Sequence, residues 1–149
     1  MTQLRIVVAC LLVAGLMALP GAPAQASPGT KMIKKINKVR DRHGLRPVRR
    51  SRALSRSARS YARAMMTRNV FGHGAANRAR RRFRRTGEAL AMSRGHRLQT
   101  RRTVRRWMRS PGHRALVLSR GFRFAGAGVS RGRFHGRRTT MWVLHLGGR

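Results

Sequence analysis

The chain has 149 residues, with 36 Lys and Arg against 2 acidic side chains, a formal net charge of +34 and 41% apolar residues. Such a surface repels itself and collects phosphate, carboxylate and sulfate polyanions with an affinity that falls as salt rises, while the patterned apolar residues exclude a disordered basic tail. With Asp41 and Glu88 as the only carboxylates and Cys10 as the only cysteine, calcium loops, two-metal carboxylate clusters, thiolate zinc sites and cysteine nucleophiles are excluded, and a glycosidase pair would have to be those two acids.

Residues 1–26 read as a secretory signal peptide: Arg5 precedes an apolar run from Ile6 to Leu19, Pro20 breaks it, and Ala24-Gln25-Ala26 offers small residues for cleavage near Ala26. The run is shorter than the roughly 20 residues that span a bilayer. The mature chain, residues 27–149, is therefore expected to be secreted and to carry no transmembrane segment. Cleavage removes 26 of the 149 residues, Arg5 and Cys10 among them, leaving 123 residues with 35 basic side chains against 2 acids. That length suffices for one domain burying about two-thirds of its unfolded surface, and without disulfides its stability must come from an ordinary core.

Lys31 to His43 has helical spacing through Met32, Ile33, Ile36 and Val39 or Arg40, with Gly44 placed to end it in the left-handed conformation. Leu45 to Val48 is a connector whose proline discourages helix at Arg46. Ser51 is an N-cap for a helix to about Thr67. Leu54, Ala58, Tyr61, Ala62 and Met65 form its apolar stripe, and Arg52, Arg56, Arg59 and Arg63 form a wholly basic outer face. Two readings of that face are open, a solvated surface or an anion-binding ridge. Asn69 to Ala76 leaves the helix. The run from Arg78 to Arg85, with Arg80, Arg81 and Arg82 at its centre, is expected as one or two exposed helical turns and a second polyanion contact.

Thr86 to Met92 reads as a short strand and Ser93 to Gln99 as a loop. Thr100 to Met108 is a third helix, with Val104, Trp107 and Met108 on its apolar side. Ser110 has the side chain of an N-cap and Pro111 suits the first helical position, so a fourth helix, His113 to Leu118, follows at once. Phe122 to Val129 alternates large and small residues as a strand packed under helices would. Ser130 to Thr140 reads as a basic hairpin loop, and Met141 to Leu146 as a strand buried on both faces. Helices first and strands last give an α+β domain, a small antiparallel sheet covered by helices.

Several landmarks recur in a fixed order: Asn37 and Arg40 as N-x-x-R, Gly44 to Val48 as G-L-x-P-V, Phe71 and His73 as F-x-H, and Gly87-Glu88. Trp107 to Arg114 (W-M-x-S-P-G-H-R), Gly126 to Val129 (G-x-G-V), and Trp142, Val143 and Gly147 follow. This set resembles the CAP superfamily of cysteine-rich secretory proteins, antigen 5 and pathogenesis-related proteins, in its short bacterial form without cysteines. The resemblance implies a three-layer α-β-α sandwich with a cavity lined by two histidines and two acids. The matching positions are His73, Glu88 and His113; the second acid falls at Ser110, so one of the four is missing. Two further departures are Ala89 and Leu116, where the family usually has Asn.

The residues themselves support part of this. Glu88 lies at the edge of an apolar segment and needs a partner, for which imidazolium or Arg would serve. His73, Glu88 and His113 would make either a hydrogen-bonded trio or a two-His, one-carboxylate set that suits zinc with an open position. His43, His96, His135 and His145 read as structural or exposed. Three functions compete. One is a secreted binding module for anionic envelope polymer, lipid or peptide, using the His/Glu cavity and the Arg surface. Another is a hydrolase with Ser110 or a metal-bound water as nucleophile and His73 or His113 as base; against it, a capping serine points its oxygen at backbone amides. The third is a cationic antimicrobial or polyanion binder that also takes nucleic acid non-specifically, through its backbone.

Overall fold

The computed structural model describes residues 26–74 and 82–149. The elements run α1 (Pro28–Asp41), β1 (Arg49–Arg50), α2 (Arg52–Thr67), β2 (Arg85–Arg94), α3 (Thr100–Arg109), α4 (Pro111–Leu118), β3 (Phe124–Phe134) and β4 (Arg137–Gly148). The strands form one sheet in the order β1-β3-β4-β2. β3, β4 and β2 are antiparallel neighbours, while the two-residue β1 joins β3 in parallel.

The layering follows from the alternation along β4. Trp142, Leu144 and Leu146 enter one core with Met32, Ile33 and Ile36 of α1, Val104 and Trp107 of α3 and Val117 of α4. Met141 and Val143 enter another with Ala58, Ala62, Met65 and Met66 of α2. One strand thus feeds both faces, because side chains alternate across a sheet. The molecule is an α+β sandwich, with α2 on one side of the sheet and α1, α3 and α4 on the other. Its two tryptophans are anchored as well as buried: Trp107 Nε1 donates to Leu90 O at 2.9 Å and Trp142 Nε1 to Leu98 O at 3.1 Å.

Close approach of α2 to the sheet explains the small residues of β3. A Cβ on Gly126 would run into the main chain of Leu54 and Ser55, and one on Gly128 into that of Ala58 and Arg59. Ala125 and Ala127, of opposite parity, lie in the core under α1.

The N-x-x-R pair is structural. Asn37 pairs through both ends of its amide with the main chain of Val48, at 3.0 and 2.9 Å. Arg40 ties α1 to the α4–β3 turn through the carbonyls of Val117 and Ser119.

Several boundaries differ from the sequence expectation. α1 starts at Pro28, because Ser27 Oγ accepts the Thr30 amide and Pro28 occupies the first helical position. Ser51 caps α2 as expected, its Oγ accepting the Leu54 amide at 3.3 Å, and Gly44 has φ +63°. Arg85, expected in a basic helical run, is instead the first residue of β2; Arg78 to Arg81 lie outside the described residues, as do residues 1–25 of the expected signal peptide. The largest correction concerns Ser130 to Thr140. It is a ladder, not a loop: β3 and β4 pair down to Phe134 and Arg137. They turn through His135 (φ +44°) and Gly136 (φ +76°), the two-residue connection whose twist matches that of the strands.

Candidate functional site

Glu88 and His145 are cross-strand partners in the β2–β4 register, so both side chains lie on the sheet face covered by α2. There Glu88 Oε2 meets His145 Nε2 at 2.9 Å. His73 arrives from the loop after α2, which is pinned by Tyr61 Oη donating to Gly72 O at 2.7 Å, and its Nδ1 meets Glu88 Oε1 at 2.8 Å. Each carboxylate oxygen of Glu88 is therefore engaged by one imidazole. Side-chain exposure falls steeply along the trio, from 67% at His73 through 15% at Glu88 to 0% at His145. Burial pushes the Glu88 carboxyl up, but the hydrogen bonds and charges of His145 and His73 outweigh it and hold the group below the ordinary carboxylate range. Tyr61 packs beside His145 with ring centroids 6.3 Å apart. Burial, then the Glu88 charge, raise its phenol. His145 Nδ1 is fully buried with no hydrogen-bond partner among the described residues.

His113 does not join this trio. Its Nδ1 meets Ser110 Oγ at 2.9 Å, and its ring lies 6.5 Å from that of Trp107. Burial, then the charge of His73, lower its pKa. A neutral ring joins Ser110 in either tautomer, accepting the hydroxyl proton at Nδ1 or donating to the hydroxyl oxygen from there. Ser110 does stand at the N-cap position of α4, but its side chain makes no capping bond. That corrects the expectation of a capping oxygen, and it removes the objection that such an oxygen would face away from a base.

Both residues line a cavity of about 330 Å³ along the β2 edge, with Phe71, Leu90, Met92, Arg106 and Trp107. His73 and Glu88 are not part of that lining. The carboxylate–imidazole cluster thus lies under α2, Ser110 and His113 line a groove along the β2 edge, and the charge of His73 reaches His113. Zinc needs ligands converging on one point. Among the described residues no group of three or more His, Cys, Asp or Glu side chains is arranged to hold a metal ion.

His145, read from the sequence as structural or exposed, is fully buried against Glu88, a partner that the sequence reading did not assign to it. A histidine inside an otherwise apolar strand must find a polar partner, and in a chain with two acids that argument alone points towards Glu88. Of the expected polyanion contacts, Arg52, Arg56, Arg59 and Arg63 are all exposed on α2, Arg82 is exposed in the segment before β2, and Arg80 and Arg81 lie outside the described residues. None of the four guanidinium groups on α2 has an ion-pair partner among the described residues. No described helix is long and apolar enough to cross a membrane.

The family model of the cysteine-rich secretory protein family (CAP) matches residues 33–146. The chain belongs to that family. Solved structures with the same fold include an outer surface protein of Borrelia burgdorferi, 20% identical, with a TM-score of 0.66 over 80% of this chain and 90% of that one. An extracellular protein of Bacillus anthracis containing an SCP domain is 20% identical, with a TM-score of 0.69 over 82% of this chain; the chain spans 40% of its length. A venom allergen-like protein of Schistosoma mansoni is 10% identical, with a TM-score of 0.63 over 83% of this chain and 90% of its own. No curated protein sequence matches the chain.

Proposed function

We propose that the protein is an exported, strongly basic CAP-domain binding module that attaches to anionic envelope polymer or lipid through the Arg face of α2. The observation that carries this reading is the absence of any internal counter-charge among the described residues. Of the two acids, Glu88 is occupied by His73 and His145, and Asp41 makes no ion pair among the described residues. Four guanidinium groups on one helix face repel one another at the cost of a few tenths of a kcal/mol per pair, and an external anion relieves that repulsion. The signal-peptide pattern of residues 1–26 and the extracellular or outer-surface description of two solved relatives support a location outside the cell. Co-sedimentation with phosphatidylglycerol and phosphatidylcholine vesicles tests the reading. Binding to the anionic vesicles alone is expected, and it should disappear in an Arg52→Ala, Arg56→Ala, Arg59→Ala, Arg63→Ala variant. Equal binding to both vesicles, or none to either together with none to heparin, would sink it.

A second reading rests on the Ser110–His113 hydrogen bond, which places a hydroxyl against a neutral imidazole in an open groove. In a serine hydrolase that pair is activated by a group orienting the far ring nitrogen. His113 Nε2 has no such partner among the described residues. A fluorophosphonate probe separates the two readings: labelling at Ser110 that disappears in His113→Ala would establish the hydrolase, and no labelling is expected of the binding module.

A further inference from the structure

At the C-terminal end of α1 a separate concavity of about 240 Å³ is lined by Arg40, Gly44, Leu45, Arg46, Arg120 and Arg123. Four of these six residues carry guanidinium groups, and neither acid of the chain is among them. Asp41, although next to Arg40 in sequence, does not line the pocket and is exposed.

The floor of the pocket is unusual. Arg40 is only 2% exposed, and all its hydrogen bonds go to main-chain carbonyls. Nε donates to Arg46 O at 3.0 Å, Nη1 to Val117 O at 2.7 Å and to Ser119 O at 3.0 Å, and Nη2 to Phe122 O at 3.5 Å. A guanidinium has five N–H donors, so one N–H on Nη2 has no acceptor among the described residues. Carbonyl dipoles orient this charge without cancelling it, and a buried ion without a counter-ion is costly. Burial, then the charge of Arg123, pull Arg40 below the ordinary arginine range. Around it, the side chains of Arg46, Arg120 and Arg123 are exposed and have no acceptor among the described residues. Carbonyls hold the central cation in place, three exposed cations rim it, and no carboxylate intervenes.

We propose that this pocket binds a phosphate group, with Arg40 as a fixed positive floor and Arg120 and Arg123 closing over the oxyanion from solvent. Guanidinium matches phosphate because its planar fork places parallel N–H donors on two oxygens. A single tetrahedral anion would neutralise a charge that the fold leaves uncompensated and would screen Arg123 from Arg40. The site is independent of the α2 face: its residues come from α1, the following connector and the α4–β3 turn. The phosphate can arrive free in solution or on a lipid headgroup.

The Arg40 Nε–H resonance in a proton–nitrogen correlation spectrum is a local probe, because Arg40 is buried and its Nε–H is hydrogen-bonded to Arg46 O, which sets it apart from the exposed arginines. Inorganic phosphate titrated against chloride at constant ionic strength should shift it along a saturable curve. The Arg120→Ala, Arg123→Ala double variant should weaken that response roughly tenfold or more, since it removes two charge-assisted donors to the anion. The four-Ala variant of α2 should leave it unchanged even where vesicle binding fails, so this site and the α2 reading can fail separately. A parallel arm adds phosphatidylglycerol vesicles. A shift with vesicles in phosphate-free buffer identifies a lipid headgroup as a source, and a shift with inorganic phosphate alone identifies the free anion; either supports the pocket. A non-saturating shift that chloride reproduces, or a saturable one that survives the double variant, would overturn it. Thermal unfolding gives an independent reading: phosphate should raise the midpoint of the wild type but not of the double variant.

Discussion

Replacing Glu88 with Gln removes the charge on which two imidazoles converge while nearly preserving shape. The His145 side of that contact is fully buried, with Oε2···Nε2 at 2.9 Å, and a hydrogen bond to a charged group contributes about 1.5–3 kcal/mol. The His73 side is largely exposed and is worth about 0–1 kcal/mol after solvent screening. The variant should therefore be less stable by about 2–3 kcal/mol near neutral pH. For a domain of this size each kcal/mol moves the midpoint by about 3–5 °C, so calorimetry should record a fall of roughly 6–15 °C.

The difference should depend on pH in one direction. Because the folded protein holds the Glu88 carboxyl below its ordinary range, the contribution is complete above the unfolded value of about 4.3 and disappears as pH falls through the lower folded value. The gap between wild type and Glu88→Gln should be widest at neutral pH and close under acid. A difference within about 0.5 kcal/mol at pH 7, the range of an ordinary surface substitution, or a gap that persists unchanged in acid, would refute the assignment of Glu88 as the charge binding His73 and His145.

Other consequences can be checked separately. Gly126→Ala should destabilise by about 3 kcal/mol or more, seen as a lower denaturation midpoint or a drop in soluble protein, because its Cβ would meet α2 backbone that cannot step aside. Asn37→Ala should cost about 2–3 kcal/mol in chemical denaturation, since it strands both main-chain polar groups of the buried Val48. His73→Ala should raise the His113 pKa, followed by its ring proton shifts in NMR, because the positive charge that helps depress it is gone. An unmoved titration would mean that the two histidines do not sense each other.

Local chemistry makes the helices legible. Ser51 and Gly44 mark an N-cap and a left-handed exit, and the apolar stripe of α2 follows the helical period. The long β3–β4 ladder is hidden in the sequence because Arg131, Arg133, Arg137 and Arg138 interrupt it with charge, and a strand that buries little there reads as a basic loop. The two-residue β1 is equally invisible, since it exists only through pairing with Phe124 and Ala125.

The site is half legible. Glu88 has to have a partner, and His73 lies in a recognisable motif. His145 is masked by the apolar run around it, and only the β2–β4 register, a contact across 57 positions, brings it opposite Glu88. Ser110 stands at the expected position but makes a different contact. Its oxygen can turn to the backbone or to the ring three residues on, and spacing does not choose between them.

Direct engagement of an external anion by the α2 arginines is what the proposed function requires above all. Affinity for a duplex DNA probe of defined charge density, measured across salt concentrations for wild type and the Arg52, Arg56, Arg59, Arg63→Ala variant, tests it most directly. The expected result is a steep negative slope of log affinity against log salt in the wild type, shallower in the variant by roughly 0.9 for each phosphate those arginines neutralise. An identical slope in the two proteins would contradict it, placing attraction in the diffuse charge of the whole surface and leaving α2 an ordinary solvated helix.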